Sequence, residues 1–124
     1  MNLVDSSGWL EYFTEGANAD FFAPAIEDNE HLVVPVICAY EVFKKVLQTH
    51  GLAMAEFRTA DLMRGALVDL TASMAMSAAI ISAELKLPMA DSFILAVARE
   101  HQATLWTQDE HFKDLVGVKY VEKK

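Results

Sequence analysis

The sequence predicts an α/β layered domain built on a mostly parallel sheet, and three observations carry that reading. Short β-rich stretches alternate with longer segments of helical apolar spacing. Each crossover helix returns the chain to the same end of the sheet, so about five mostly parallel strands are expected, flanked by helices. No repeat, low-complexity run or linker interrupts the 124 residues, a length near the commonest domain size. Residues 1–124 are therefore read as one domain.

Taken in order, Asn2 to Val4 is a short apolar strand, and Asp5-Ser6-Ser7-Gly8 leads into Trp9, Leu10, Tyr12 and Phe13 at helical spacing. A second helical patch holds Phe21, Phe22, Ala25 and Ile26. His31 to Val34 is β-rich and stops at Pro35, which opens a helix whose stripe Ala39, Val42, Phe43, Val46 and Leu47 runs to Gly51. Ala53 to Arg64 continues as a separate helix, and Ala66 to Leu70 reads as a third strand. Thr71 or Ser73 caps a methionine- and alanine-rich helix through Leu85. Beyond Pro88, Met89 to His101 is apolar almost all round, as in a helix buried between other elements. Ala103 to Thr107 is a fourth strand, Glu110 to Leu115 a short helix, Gly117 to Val121 a last strand, and Glu122-Lys123-Lys124 a solvated tail.

Composition narrows the class. Hydrophobic residues make up 53% and charged residues 23%, too apolar for a disordered chain. The single cysteine, Cys38, cannot form an internal disulfide and reads as a small buried hydrophobe in a reducing compartment. No run approaches the roughly 18 apolar residues of a membrane span, and the N-terminus lacks a signal pattern, so a cytoplasmic protein without membrane contact is expected. A formal net charge of -8 argues against sequence-blind adhesion to nucleic acid. There is no GxGxxG after a strand and no GxxxxGK[ST], which removes the main support for dinucleotide or P-loop binding.

What remains is a set of acids. In a parallel sheet the strand C-termini and the helix N-termini that follow share one edge, where ligands bind. Asp5 ends the first strand, Asp109 lies just past the fourth, and Asp91 falls in the first turn after Pro88. Glu41 lies six residues beyond Pro35, and its long side chain leans back toward the helix N-terminus. Carboxylates crowded together repel, so a divalent cation is the economical neutraliser; an oxygen-only set favours Mg2+ or Mn2+ over Zn2+. Such a site suits phosphodiester hydrolysis, with the ion supplying positive charge where the scissile phosphate sits. Lys44, Lys45, Arg58, Arg64 and Arg99 are the candidate cations of a substrate path.

Each acid also has an ordinary explanation. Asp5 and Asp109 can cap helices, Asp91 can complement a helix dipole, and Glu41 can pair with Lys45 one turn on. Only their joint placement is informative. Ser6 and Thr107, each beside a site acid, are secondary candidates. The histidines lack metal-ligand spacing, with His111 the least ordinary of the four. The six methionines read as core filler or an oligomer interface.

These residues resemble the PIN-domain nucleases, in particular the ribonuclease toxins of VapBC-type toxin-antitoxin pairs, over nearly the whole chain. The opening match is Leu3-Val4-Asp5-Ser6, and the mid-chain acid lies in Val33-Val34-Pro35 through Glu41-Val42. The specific part is Leu87-Pro88-Met89-Ala90-Asp91-Ser92, followed by Leu105-Trp106-Thr107-Gln108-Asp109-Glu110-His111-Phe112 and Gly117-Val118-Lys119-Tyr120. The resemblance implies a PIN-like sheet of order 3-2-1-4-5 and a Mg2+- or Mn2+-dependent endoribonuclease with Asp5, Glu41, Asp91 and Asp109 as catalytic metal ligands. It also implies RNA as substrate, a homodimer, and a cognate antitoxin protein as partner. Many relatives carry a further acid where this chain has His111.

Two other readings compete. One is a phosphatase or phosphoacceptor domain with Asp5 as nucleophile, disfavoured because Ser7 stands where such phosphatases place a second aspartate. The other is a non-catalytic PIN-like dimerisation module, against which the four intact acids count.

Overall fold

A computed structural model describes residues 1–124. The chain runs β1 (Asn2–Val4), α1 (Ser6–Phe13), α2 (Ala19–Glu27), a 3-10 turn (Asn29–His31), β2 (Val33–Pro35), α3 (Val36–His50) and α4 (Leu52–Leu62). It continues through β3 (Ala66–Val68), α5 (Ala72–Leu85), α6 (Met89–Glu100), β4 (Thr104–Thr107), a second 3-10 turn (Glu110–Phe112) and β5 (Val118–Tyr120).

Every ladder is parallel: β1 with β4, β4 with β5, and β2 with β3. A single parallel bridge between Asn2 and Leu32 joins the two groups, so the strand order is 3-2-1-4-5. The sheet is narrowest at this seam, where Pro35 has no amide hydrogen to offer a neighbour.

Strand alternation divides the core between the two faces of the sheet. Leu3 and Val33 point to one face, against Ile94 to Ala98 of α6, Ile81 of α5 and Phe112. Val4 and Val34 point to the other, against Trp9, Phe22, Val42 and Leu62 from α1 to α4. The all-round apolar α6 is buried from Ile94 through Ala98. Helix α5, whose one charged residue is Glu84, buries only Met74, Ala78 and Ile81 and leaves Met76 and Ile80 exposed.

Most differences from the sequence reading are trimmed ends. His31 belongs to a 3-10 turn rather than to β2, and of the two candidate caps it is Thr71 that accepts the Met74 amide, at 3.1 Å. The expected helix from Glu110 to Leu115 is a single 3-10 turn. Lys113 turns extended (ψ 137) and Asp114 left-handed (φ 68), so the helix cannot propagate. The tail is not wholly solvated: the Glu122 carbonyl accepts the buried Asn18 side-chain amide at 3.0 Å, which draws the C-terminus against the start of α2.

Candidate metal centre

Because all strands run the same way, the loops after β1, β2 and β4 open on one edge. Asp5 is the first residue past β1 and the N-cap of α1, and its backbone is extended (φ -73, ψ 172). Its Oδ1 accepts the Gly8 amide at 2.9 Å and the Ser7 hydroxyl at 2.8 Å, and its Oδ2 accepts the Thr107 hydroxyl at 2.6 Å. Gly8 permits this geometry, since a Cβ there would sit 2.6 Å from Val4 Cγ1 and 2.7 Å from the Phe22 ring.

With only 3% of its surface exposed, Asp5 is the least solvated acid of the edge. Burial pushes its pKa up to about 6 from 3.8; the hydrogen bonds from Thr107, Gly8 and Ser7 only partly offset that, and the charge of Asp109 raises it further. The capping role of Asp5 is thus realised in the structure, and it leaves the carboxylate at the strand edge.

Thr107 links two of the acids. Its fully buried hydroxyl donates to Asp5 and also accepts the Asp109 amide at 2.9 Å. Asp109 in turn caps the second 3-10 turn by accepting the His111 amide at 2.9 Å. That turn swings the His111 ring back, so that Nδ1 lies 2.8 Å from Asp91 Oδ2 and 3.3 Å from Asp109 Oδ1. One ligand atom each from Asp91, Asp109 and His111 falls within 4.8 Å of the others. Burial raises the Asp91 pKa, its hydrogen bond to His111 lowers it, and Asp109 raises it again. The same bond to Asp91, helped by the charge of Asp109, raises the His111 pKa.

Glu41 joins from α3. Its Oε1 accepts the Ser6 hydroxyl at 2.6 Å, so it faces the start of α1 and forms no ion pair with Lys45. Beneath it lies Cys38, fully buried. Burial pushes that thiol's pKa far up, the Ser6 contact lowers it, and the charges of Asp5, Glu41 and Asp91 each raise it. The charges of Asp5, Glu41 and Asp91 thus all reach Cys38, and Asp109 is coupled to both Asp5 and Asp91. Of the four acids, however, only Asp91 and Asp109 join the tight group of ligand atoms, with His111 in place of Asp5 and Glu41.

Some expected cations lie elsewhere. Lys44 sits over the Tyr40 ring at 5.9 Å, Arg64 approaches Asp61 at 3.9 Å, and Arg99 is in the last turn of α6, the end away from Asp91. Lys45 and Arg58 share a cleft with His50 and Lys123, two residues the sequence reading passed over. His31 pairs with Asp28 at 3.0 Å, well separated in the fold from the acid edge. His111 holds a more central place than its sequence context implied; the available signal was its position two residues past a site acid, inside the turn that acid caps. The Ser7 hydroxyl, also overlooked as a partner of Asp5, follows from the same capping geometry.

A carboxylate set with one imidazole, Asp91, Asp109 and His111, fits a divalent cation of hard or borderline character. A family model described as PIN domain matches residues 3–118. No curated protein matches the chain in sequence. Among solved structures, the chain is similar to a toxin-antitoxin complex from Klebsiella pneumoniae, with a TM-score of 0.80 at 20% identity, covering 96% of each chain. It is similar to VapC20 of Mycobacterium tuberculosis, described as a Sarcin-Ricin loop cleaving toxin, with a TM-score of 0.73 at 16% identity, covering 90% of this chain and 92% of that one. It is also similar to VapBC2 of Rickettsia felis bound to a promoter DNA fragment, with a TM-score of 0.72 at 15% identity, covering 98% and 97%. At these identities the likeness establishes the fold.

Proposed function

Since the chain belongs to the PIN-domain family, whose model spans residues 3–118, we propose that it is a metal-dependent endoribonuclease acting as the toxin of a toxin-antitoxin pair. The observation that carries this reading is the approach of Asp91 and Asp109, whose ligand atoms lie within 4.8 Å of each other and of His111. Asp5, coupled to Asp109 and pushed by burial to a pKa of about 6, caps the helix after β1, and Glu41 is held by Ser6 at the start of that helix. Asp5, Asp91 and Asp109 would hold a Mg2+ or Mn2+ ion, with Glu41 beside them. When bound, the ion supplies an acidified water and charge stabilisation at the phosphate.

The chain's own residues do the positioning. Ser7, Gly8 and Thr107 fix both oxygens of Asp5, so its carboxylate cannot rotate away. Ser6 orients Glu41 toward the edge, and Thr107 keeps the Asp109 loop in step with Asp5. His111 donates or accepts at Asp91 and stands where many relatives place an acid, which makes it a conditional ligand: available when neutral, in the way when protonated. The phosphoacceptor alternative fits less well, because Ser7 stands where such phosphatases place a second aspartate and instead donates its hydroxyl to Asp5.

The M. tuberculosis and K. pneumoniae proteins, a loop-cleaving toxin and a toxin-antitoxin complex, support RNA as substrate and an antitoxin protein as partner. The exposed apolar residues Met76 and Ile80 on α5 and Met89 at the start of α6 are the face we assign to a homodimer. No helix is long and apolar enough to cross a membrane. The test is cleavage of structured RNA by purified, antitoxin-free protein. We expect activity with Mg2+ or Mn2+ that is lost with EDTA and in Asp5→Asn; cleavage indifferent to both would refute the reading.

A further inference from the structure

A cleft of about 540 Å3 opens from the acid edge across α1, α3 and α4. Its inner end is lined by Ser7, whose hydroxyl holds Asp5, and by Gln108, the residue before Asp109. Lys45, one turn past Glu41, lies along one wall; Arg58 of α4 and Lys123 of the C-terminus complete the rim. The floor is apolar: Leu10, Phe13, Val46 and Met54.

The charge of this cleft runs against that of the molecule. Lys45, Arg58 and Lys123 are three of the chain's 10 lysines and arginines, whereas Glu11 is the only one of its 18 acids that lines the cleft. Glu11 is engaged inward, accepting the Asn18 amide at 3.0 Å. The neighbouring depression between α1 and α2 has the opposite character, with Glu15, Asp20 and Glu27 against Arg58 alone. In a protein of net charge -8, this cleft, which begins at Ser7 and Gln108 beside Asp5 and Asp109, thus has three cations against one acid in its lining.

We propose that this cleft binds the single-stranded RNA that flanks the scissile phosphate, Lys45, Arg58 and Lys123 taking phosphates while an unpaired base lies on the apolar floor. The proposal rests on the ribonuclease reading above and adds where the substrate lies. The volume falls within the roughly 300–1,000 Å3 of ligand pockets, room for about one nucleotide beyond the cut. An apolar floor serves a base only if that base is unstacked, which selects single-stranded over duplex RNA. Arg58 already places its guanidinium 5.2 Å from the Phe13 ring centroid, so it can act from above the floor.

The test is fluorescence anisotropy of a short labelled single-stranded RNA, titrated in EDTA so that nothing is cut, across a range of salt. Two triple variants are compared with the unsubstituted protein: Lys45→Gln/Arg58→Gln/Lys123→Gln in the cleft, and Lys44→Gln/Arg64→Gln/Arg99→Gln outside it, with the same change in net charge. The cleft variant should bind at least about tenfold more weakly and lose about 2 from the slope of log K against log salt, since each single-strand phosphate contact contributes about 0.7. Each single cleft substitution should remove about a third of that, which covers the case of a triple variant that fails to fold. The outside variant should stay within about twofold on the same electrostatic reasoning. Equal losses in both, or an unchanged cleft variant, overturn the proposal. An unchanged cleft variant that instead loses affinity for an acidic amphipathic peptide would assign the cleft to a protein ligand. Mn2+ binding, followed separately by electron paramagnetic resonance, tests the metal reading alone, so the two can fail independently.

Discussion

The acid edge and the cleft beside it share Ser7 and Gln108 as neighbours yet are built in opposite ways. At the edge, charge is held against its own desolvation: burial raises the Asp5 pKa to about 6, and the charge of Asp109 adds to the rise. In the cleft, exposed cations on separate elements surround an apolar floor, and Arg58 is the only one of the three that is partly shielded. The first arrangement is costly until something neutralises it, whereas the second costs the fold little. Chemistry is therefore expected to fail all at once when the edge is altered, and binding to fade by degrees when the cleft is.

Asp5→Asn is the sharpest way to break that comparison. It should lower RNA cleavage by roughly a thousandfold or more while leaving the metal-free protein at neutral pH more stable, by up to about 3 kcal/mol for the difference between 3.8 and about 6. The sign follows from linkage. Between about pH 4 and pH 6 the folded chain holds a proton on Asp5 that the unfolded chain has released, so the stability of the EDTA-treated protein falls as pH rises through that window and levels off above it. Denaturant titrations at several pH values read both effects, and in the variant this component of the fall should vanish. A variant less stable than the parent at pH 7 would remove the strain argument.

Thr107→Val comes next. It deletes the hydroxyl that donates to Asp5 and accepts from the Asp109 amide, and loss of such a supporting contact should cost about 10- to 100-fold in Mn2+ affinity or cleavage. His111→Gln should act on the protons instead. Wild-type metal binding has to displace protons from Asp5, whose pKa is about 6, and from His111, whose pKa Asp91 raises; the variant should release fewer in mildly acidic buffer, measured by calorimetry in buffers of different ionisation enthalpy. The smallest effect belongs to Lys45→Gln, about a threefold rise in KM with kcat unchanged, as expected for one exposed phosphate contact.

The same contrast explains what could be read from the sequence. Asp5, Asp91 and Asp109 were legible because strand ends and helix starts are fixed by local apolar spacing and by Pro88, and parallel order then brings those ends to one edge. The strand order was available only through family resemblance, since nothing in the local pattern of Val33–Pro35 or Ala66–Val68 says which strand lies beside which. The cleft was half visible. Lys45 could be placed because it rides on the helix of Glu41, but Lys123 and His50 come from a tail and a helix end whose position depends on long-range contacts such as Asn18 to Glu122. Arg99 failed for a simple reason: the helix that delivers Asp91 to the edge carries Arg99 away from it at about 1.5 Å per residue. His111 was undervalued because the 3-10 turn after Asp109 folds its ring back by a geometry that helical periodicity does not describe.

Binding of a divalent ion by the acids is the central expectation, and crystals of the protein soaked in Mn2+ test it most directly. Anomalous difference maps should show a Mn2+ peak at coordination distance, about 2.1 Å for an oxygen ligand, from Asp5, Asp91 and Asp109. A saturating soak that leaves this edge empty, or a peak held by other residues, would contradict the claim.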